Sequence, residues 1–409
     1  MISVEEAQAR VLEGIGALPA ERVSLLEALG RVLAADVVSD IDVAPFDNSA
    51  MDGYAVRAAD VAGASEETPV RLRVVEHVPA GAFPTVPVGP GEAVRIMTGA
   101  PVPAGADAVV MVERTAEEQG GDVGVIFAPV REAENVRRRG EDVRKGETVL
   151  RTGETVGPAT IGILASVGCP KPLVHRRPRV AIVSTGDELV GIDEYPGPGK
   201  IRNSNSHTLA ALVLEAGGEP HILEVARDTR ESTSAVLTRA PEFDLMISTG
   251  GVSMGDYDVV KTVLEELGIL SFWKVAMRPG APQTFGTIGG TPFFGLPGNP
   301  TSGMVGFELF VRPVMLKMQG GSELFRPRHK VTLTHDVKKK SDRRYFMRAR
   351  AERVGEGRWT AALSGAQSSA MLTSMHRANC LLVLPEGETT FAAGSVVDCI
   401  RLDMKEGAQ

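Results

Sequence analysis

Little cysteine, few aromatic residues and no long apolar run characterise this 409-residue chain. Its three cysteines, Cys169, Cys380 and Cys399, are odd in number, widely spaced and without a C-x-x-C pair. That argues against a disulfide framework, fits a reduced, cytoplasmic setting, and leaves each cysteine as a small core residue. No stretch approaches the roughly 20 apolar residues that span a bilayer. The acidic, amphipathic start MISVEEAQAR does not read as a signal peptide, so no membrane attachment is expected. Positive charge is short as well. The net charge of −8 is spread thinly and offers no basic face to nucleic acid. Seven scattered histidines include no H-E-x-x-H and no close pair, so His207 and His221 read as structural. The glycine-bearing loops lack both the lysine of a Walker loop and the dinucleotide-binding spacing, which supports neither an ordinary NTPase nor a nicotinamide dehydrogenase.

What is present is a chain with several cores, since domains usually run about 100 to 200 residues. Two helices are expected first. Ser3 and Glu6 form a capping-box pattern ahead of Val4, Ala7, Val11, Leu12 and Ile15, and Ser24 and Glu27 repeat it near Leu25, Leu29, Val32 and Leu33. From about 69 to 150 the texture changes to short apolar runs between Pro and Gly (RLRVVEHV, AVRIM, AVVMV, VGVIF), a β-rich barrel or sandwich. A short helix is expected over 157–167, and CPKPLVHRRP marks a boundary. Strand and helix then alternate, with helices at 206–216, 257–267 and 301–318, which implies a parallel sheet. From 327 onward, period-two stretches such as RYFMRARAERV and CLLVLP indicate an all-β domain. The expected fold class is multidomain α/β. It comprises a central α/β domain with a mostly parallel sheet (175–325), a β-rich domain (41–139), a C-terminal β-barrel-like domain (326–409) and an elongated, helix-containing linker domain (1–40 with 140–174).

Three segments, STGDEL, STGGVSMGD and GLPGNP, each follow an expected strand (180–184, 245–249, 292–296) and precede an expected helix. Free N–H groups at such helix starts attract oxyanions, and ligands of parallel sheets lie beyond the strands' carboxyl ends. The loops also carry Asp187, Glu188, Asp256 and Asp258, which repel an anion unless a hard divalent cation sits between. The pattern reads as a metal plus a phosphorylated ligand, joined by Asp228 in ARDT. Thr185, Gly186, Asp187 and Glu188 equally fit a plain turn with acidic first-turn residues. Gly250, Gly251 and Ser253 belong to a loop that lets backbone approach a ligand closely. Pro297, Gly298, Asn299 and Pro300 form a rigid turn, with Pro300 a good first helical residue and the N–H groups beside it able to hold phosphate. Asp52 fits an Asp-Gly turn, with Tyr54 packed beside it, and Arg137 to Arg139 fit a solvated charge cluster. Lys274 and Arg278 close an expected strand, 271–277, and face either solvent or the anion.

The strings PFDNSAMDGYAV, RIMTGAPVPAGADAVV, VRRRGEDV, STGDEL, STGGVSMGDYD and GLPGNPTS, in this order, resemble the molybdopterin molybdenumtransferase (MoeA) family, whose eukaryotic relatives include the gephyrin E domain. The resemblance spans the chain. It implies an elongated four-domain homodimer that takes adenylylated molybdopterin, releases AMP with help from a divalent cation such as Mg²⁺, and inserts molybdate at the dithiolene. A molybdopterin adenylyltransferase is the implied supplying partner. Glu188, Asp228 and Asp258 match positions needed for activity, with Asp256 a further metal ligand and Lys274 catalytic. Asp52, with Thr98 nearby, would reach the crevice of the opposite subunit. Arg137 would face the substrate's phosphates, and Arg278, Arg348 and Ser374 the oxyanion. The family usually carries lysines at positions 278 and 281, where this chain has Arg278 and Ala281. A neighbour such as Lys261 could stand in. That departure keeps open a tungstate-preferring paralogue and a non-catalytic scaffold.

Overall fold

The structure, a computed structural model, describes residues 1–250, 259–355 and 357–407. Its centre is a six-stranded sheet in the order Glu219–Ile222, Arg179–Ser184, Leu245–Thr249, Thr291–Leu296, Pro282–Ile288, Gly268–Lys274. The first four strands are parallel. The apolar runs of Arg179–Ser184, Leu245–Thr249 and Thr291–Leu296 are buried on both faces, as inner parallel strands require, whereas the edge strand Glu219–Ile222 is exposed or half-buried. Val180 and Ile182 join the core formed with the helix Ser204–Glu215 and the helical stretch 300–318, whereas Ala181 and Val183 face Val236, Leu237 and Leu264 on the other side. The last two strands depart from the parallel expectation and run antiparallel. Gly289 and Gly290, with φ of 56° and 87°, form a two-residue reversal between Ile288 and Thr291, a hairpin signal that the strand–helix alternation masked. The strand expected at 271–277 is Gly268–Lys274, and Met277–Arg278 pairs instead with the C-terminal domain. The 300–318 helix passes through a π-turn at Phe307–Val311 just before Pro313, whose missing N–H interrupts the regular ladder.

The first helix forms at Val4–Leu12, with the Ser3 hydroxyl accepting from the Glu6 N–H at 3.0 Å. Val4, Ala7 and Val11 pack into the central core. The second expected helix does not form. Ser24 and Glu27 make their capping contacts, 2.6 Å between hydroxyl and carboxylate. Gly30 then takes a φ of 77°, and the N–H groups of Gly30 and Leu33 donate to the carbonyls of Val156 and Glu154. Pairing with a distant segment thus replaces the second helical turn. The STGDEL loop likewise opens no helix. Leu189–Val190 pairs with Ile201–Arg202, and the helix starts only at Ser204, capped by Asn203.

The 157–167 expectation is met by the helix Pro158–Ser166. It packs with Leu33, Val37, Leu150 and Val174 in a separate small core. The β-rich region forms a six-stranded sheet around Tyr54, Val56, Leu72 and Val110. In the C-terminal region, Arg344–Val354, Arg358–Leu363, Arg328–Leu333, Val396–Arg401 and Cys380–Leu384 pair in turn, and the last pairs back to the first. A closed five-stranded barrel results. All three cysteines are free, with Cys380 and Cys399 buried in the barrel core and Cys169 half-buried. Among the described residues no helix is long and apolar enough to cross a membrane.

Candidate active site

The carboxyl ends of the parallel strands carry the acidic and glycine-rich loops side by side. Thr185 bridges to Ala226, and the Gly186 N–H donates to the Ala226 carbonyl at 3.1 Å. This brings ARDT against STGDEL. The Asp187 N–H donates to the Asp228 carboxylate at 3.2 Å, and the Asp228 N–H returns a bond to Asp187 at 3.4 Å. Glu188 folds over Gly186, where a Cβ would lie 2.3 Å from its carboxylate. All three carboxylates are exposed. Gly251, Ser253, Asp256 and Asp258 lie outside the described residues. Among the described ones no three acidic, histidine or cysteine side chains gather to hold an ion. Mg²⁺ commonly takes one or two carboxylates plus phosphate oxygens and water, and the oxygen donors of Asp187, Glu188 and Asp228 fit that mode.

The middle of the crevice is backbone. Gly250, with φ at 93°, presses on Thr185: a Cβ there would meet the Thr185 carbonyl and hydroxyl at 2.8 Å. Gly298 lies against the Cα of Gly250, 3.4 Å from where its own Cβ would stand. Asn205, at the start of the 204–215 helix, ties these loops together by donating to the Thr249 hydroxyl at 3.0 Å and the Gly298 carbonyl at 2.8 Å. The Thr185 hydroxyl is buried and has no hydrogen-bond partner among the described residues. Pro300 opens the next helix as expected, with Asn299 before it.

Beyond the last parallel strand the site turns cationic. A cleft of about 750 Å³ opens between the Arg278–Pro282 segment, Pro297 and Asn299, and the barrel strand that carries Arg348. Arg278, Lys338, Lys340, Arg343 and Arg348 line it, and among the described residues no carboxylate does. Arg348 is only 1% exposed. Its guanidinium donates to the Ser374 hydroxyl at 3.2 Å and to the carbonyls of Ala366 and Ser368 at 3.0 and 2.9 Å. Burial holds its pKa below the ordinary arginine range, and it has no acidic partner among the described residues. A buried guanidinium with only neutral acceptors is electrostatically unfinished, and an anion completes it. Arg278 reaches the Tyr345 hydroxyl at 3.5 Å. Burial alone would raise the Tyr345 pKa, but hydrogen bonds from Ser341, the Lys340 N–H and Arg278 outweigh it and lower the value. Lys274 is exposed at the end of its strand.

Acids, backbone and cations therefore follow one another along the sheet edge, over two strand spacings of about 4.8 Å each. Asp52, Thr98 and Arg137 are not joined to this edge by any described contact. Asp52 instead accepts from the Thr98 N–H and hydroxyl at 2.7 and 2.8 Å, and these bonds lower its pKa. Within the arginine run, Arg138 and Arg139 pair with Asp47 and Asp42 at 2.7 and 2.6 Å, leaving Arg137 exposed. Sequence reasoning passed over Asn205, Lys338, Lys340, Arg343 and Tyr345. The run KKKSDRR was the available signal for the cations, but its proximity to Arg278 is purely tertiary.

Three family models match this chain: the MoeA N-terminal region (domain I and II) over residues 2–168, a probable molybdopterin binding domain over 181–317, and the MoeA C-terminal region (domain IV) over 330–402. The molybdopterin molybdenumtransferase of Staphylococcus aureus strain COL is 39% identical over 401 residues, 98% of this chain and 95% of that protein. The Staphylococcus epidermidis RP62A protein of that name is 36% identical over the same coverage. Among solved structures, the molybdopterin biosynthesis moeA protein of Pyrococcus horikoshii OT3 is similar with a TM-score of 0.82 and 32% identity, covering 98% of this chain and 100% of that one.

Proposed function

The chain belongs to the molybdopterin molybdenumtransferase (MoeA) family, a transferase family of molybdenum cofactor biosynthesis, and from that premise we propose that it inserts molybdate into adenylylated molybdopterin with release of AMP. The single observation that carries this reading is the polarised sheet edge: carboxylates at Asp187, Glu188 and Asp228, glycine backbone at Gly250 and Gly298, and a cationic cleft around Arg348 that no carboxylate of the described residues lines. Such an edge suits a ligand with a pyrophosphate at one end and an oxyanion delivered at the other.

Glu188 and Asp228, with Asp256 and Asp258 from the neighbouring loop, would hold a divalent cation. When bound, that ion neutralises charge on the pyrophosphate oxygens. The chain's own groups do the rest. Thr185, Gly186 and Gly250 let the phosphate chain lie against backbone, and the N–H groups at the start of the 300–318 helix hold its oxygens. Lys274 supplies positive charge to the departing phosphate, and Arg137, in the same β-rich region as Asp52, would add its charge from the second subunit. Arg278, Arg348 and Ser374 orient molybdate toward the dithiolene, so that the reactants meet in one geometry. Asp52 and Thr98 would enter from the second subunit of a homodimer. An adenylyltransferase reaction must supply the substrate.

The test is molybdate-dependent release of AMP from adenylylated molybdopterin by the purified protein. AMP release that requires molybdate, stops on chelation of divalent metal and returns with Mg²⁺ supports the reading. No release with molybdate or tungstate overturns it in favour of a scaffold, and release with tungstate alone assigns the other oxyanion.

A further inference from the structure

The floor of the cationic cleft carries less charge than its wall. From 278 to 282 the floor offers one cation, Arg278, and Ala281 contributes none. The wall is a segment of the C-terminal domain in which side chains alternate. Val337 and Lys339 are buried, while Lys338 and Lys340 are exposed and line the cleft.

The segment is held firmly. The Lys339 ammonium donates to the Arg343 carbonyl at 3.0 Å and to the Pro385 carbonyl, and lies 5.6 Å from the centre of the Tyr345 ring. The Lys340 N–H donates to the Tyr345 hydroxyl at 3.2 Å, and the Ser341 hydroxyl lies at the same distance from it. Arg278 reaches that hydroxyl from the floor. Tyr345 therefore fixes the spacing between floor and wall. Neither Lys338 nor Lys340 has an ion-pair or side-chain hydrogen-bond partner among the described residues. Two ammonium groups without described partners, one on the strand Val337–Lys338 and one just past it, face a cleft that no carboxylate of the described residues lines, in a chain of net charge −8.

We propose that Lys338 and Lys340 are anion-binding residues that recruit a tetrahedral dianion of the molybdate class opposite Arg278 and Arg348. The inference rests on the oxyanion reading of the cleft. An ammonium is a compact, hydrated point charge with three rotatable donors, suited to a tetrahedral ion that must later leave, whereas the buried Arg348 gives fixed geometry. The lysines set affinity and salt dependence, and Arg348 sets orientation.

Calorimetric titration of the full-length protein with sodium molybdate, with AMP titrated in parallel, tests this. Replacing both lysines (Lys338→Met with Lys340→Met) should weaken molybdate at least tenfold, roughly the scale of one charge-assisted hydrogen bond. Conversion of both to Arg should stay near wild type, and adding Ala281→Lys to the Met pair should restore affinity. Both lysines are exposed, so the melting temperature of each variant should be unchanged, and Arg348→Gln serves as the control for the cleft. Wild-type molybdate affinity in the Met pair, with loss in Arg348→Gln, overturns the inference and leaves the cleft reading intact. Unchanged affinity in both overturns the two together. Equal loss in the Met and Arg pairs, or loss confined to AMP, also overturns it.

Discussion

Arg348 concentrates the argument at the scale of a residue. A buried guanidinium whose described partners are a hydroxyl and two carbonyls keeps its charge at a cost, because three neutral acceptors do not replace the hydration it gave up. The apo protein therefore gains little from this charge, and the anion-bound protein gains much. Arg348→Met should lower the melting temperature of the apo protein by several degrees, since the Ala366 and Ser368 carbonyls and the Ser374 hydroxyl lose a buried donor. The same variant should lose the rise in melting temperature that molybdate gives wild type, a mass-action effect of binding to the native state. Thermal unfolding with and without sodium molybdate measures both, and a molybdate-induced rise that survives in the variant removes Arg348 from the site. Asp228 makes the opposite case. It is exposed, so Asp228→Asn should fold normally and reduce AMP release by about a hundredfold or more if the carboxylate holds the divalent ion. Single-turnover AMP release decides it.

At the scale of elements, the loops meet because their glycines leave no room for anything else. Gly250→Ala would place a Cβ 2.8 Å from the Thr185 carbonyl in a backbone conformation that L-residues avoid. A loss of about 1–3 kcal/mol in urea unfolding is expected, with AMP release reduced further than stability. An unchanged midpoint would mean that the loops can separate. The entry to the central sheet is fastened by Asp244, which accepts from both terminal nitrogens of Arg176, at 2.7 and 2.6 Å, and from the Arg179 N–H. Burial alone would raise its pKa, but these bonds outweigh burial and hold it below the ordinary aspartate value. A depressed folded pKa stabilises above the unfolded value, and the contribution fades as pH falls from about 4 toward the folded value. Wild type should therefore lose stability on acidification more steeply than Asp244→Asn, as thermal scans from neutral pH to pH 3 would reveal; parallel curves would dismiss the clamp. Much at this scale was legible beforehand. Leu245–Thr249 and Arg344–Val354 stand where apolar runs and period two placed them, because burial on one or both faces writes itself into composition. What failed were local signals outcompeted by distant partners. Ser24 and Glu27 made their capping contact, yet the chain from Gly30 to Leu33 paired with residues 154–156 instead of coiling.

For the whole molecule, the same limit explains which parts of the site could be read. Residues of one loop, such as Gly298 and Asn299, announce themselves by spacing, whereas Lys338 and Lys340 face Arg278 only because the barrel folds back onto the sheet, about which no local pattern speaks. Asp52 extends this logic past a single chain. Its carboxylate is exposed, accepts from Thr98, and is joined to the crevice by no described contact, so the proposed role in the reaction would be played from a second copy. If the site is shared, two inactive variants can repair each other. Asp52→Ala and Asp228→Ala homodimers should each be inactive, but a mixed dimer would contain one crevice with both carboxylates intact and one with neither. Random exchange makes half the dimers mixed, so co-refolded or co-expressed protein should recover about a quarter of wild-type AMP release under C2 symmetry. Purification through two different affinity tags isolates the mixed dimer, whose activity should approach about half of wild type by the same symmetry. If the mixed dimer stays as inactive as its parents while size-exclusion chromatography confirms the dimer, each crevice must draw both groups from one chain, and Asp52 would have to reach its own sheet edge by a domain movement.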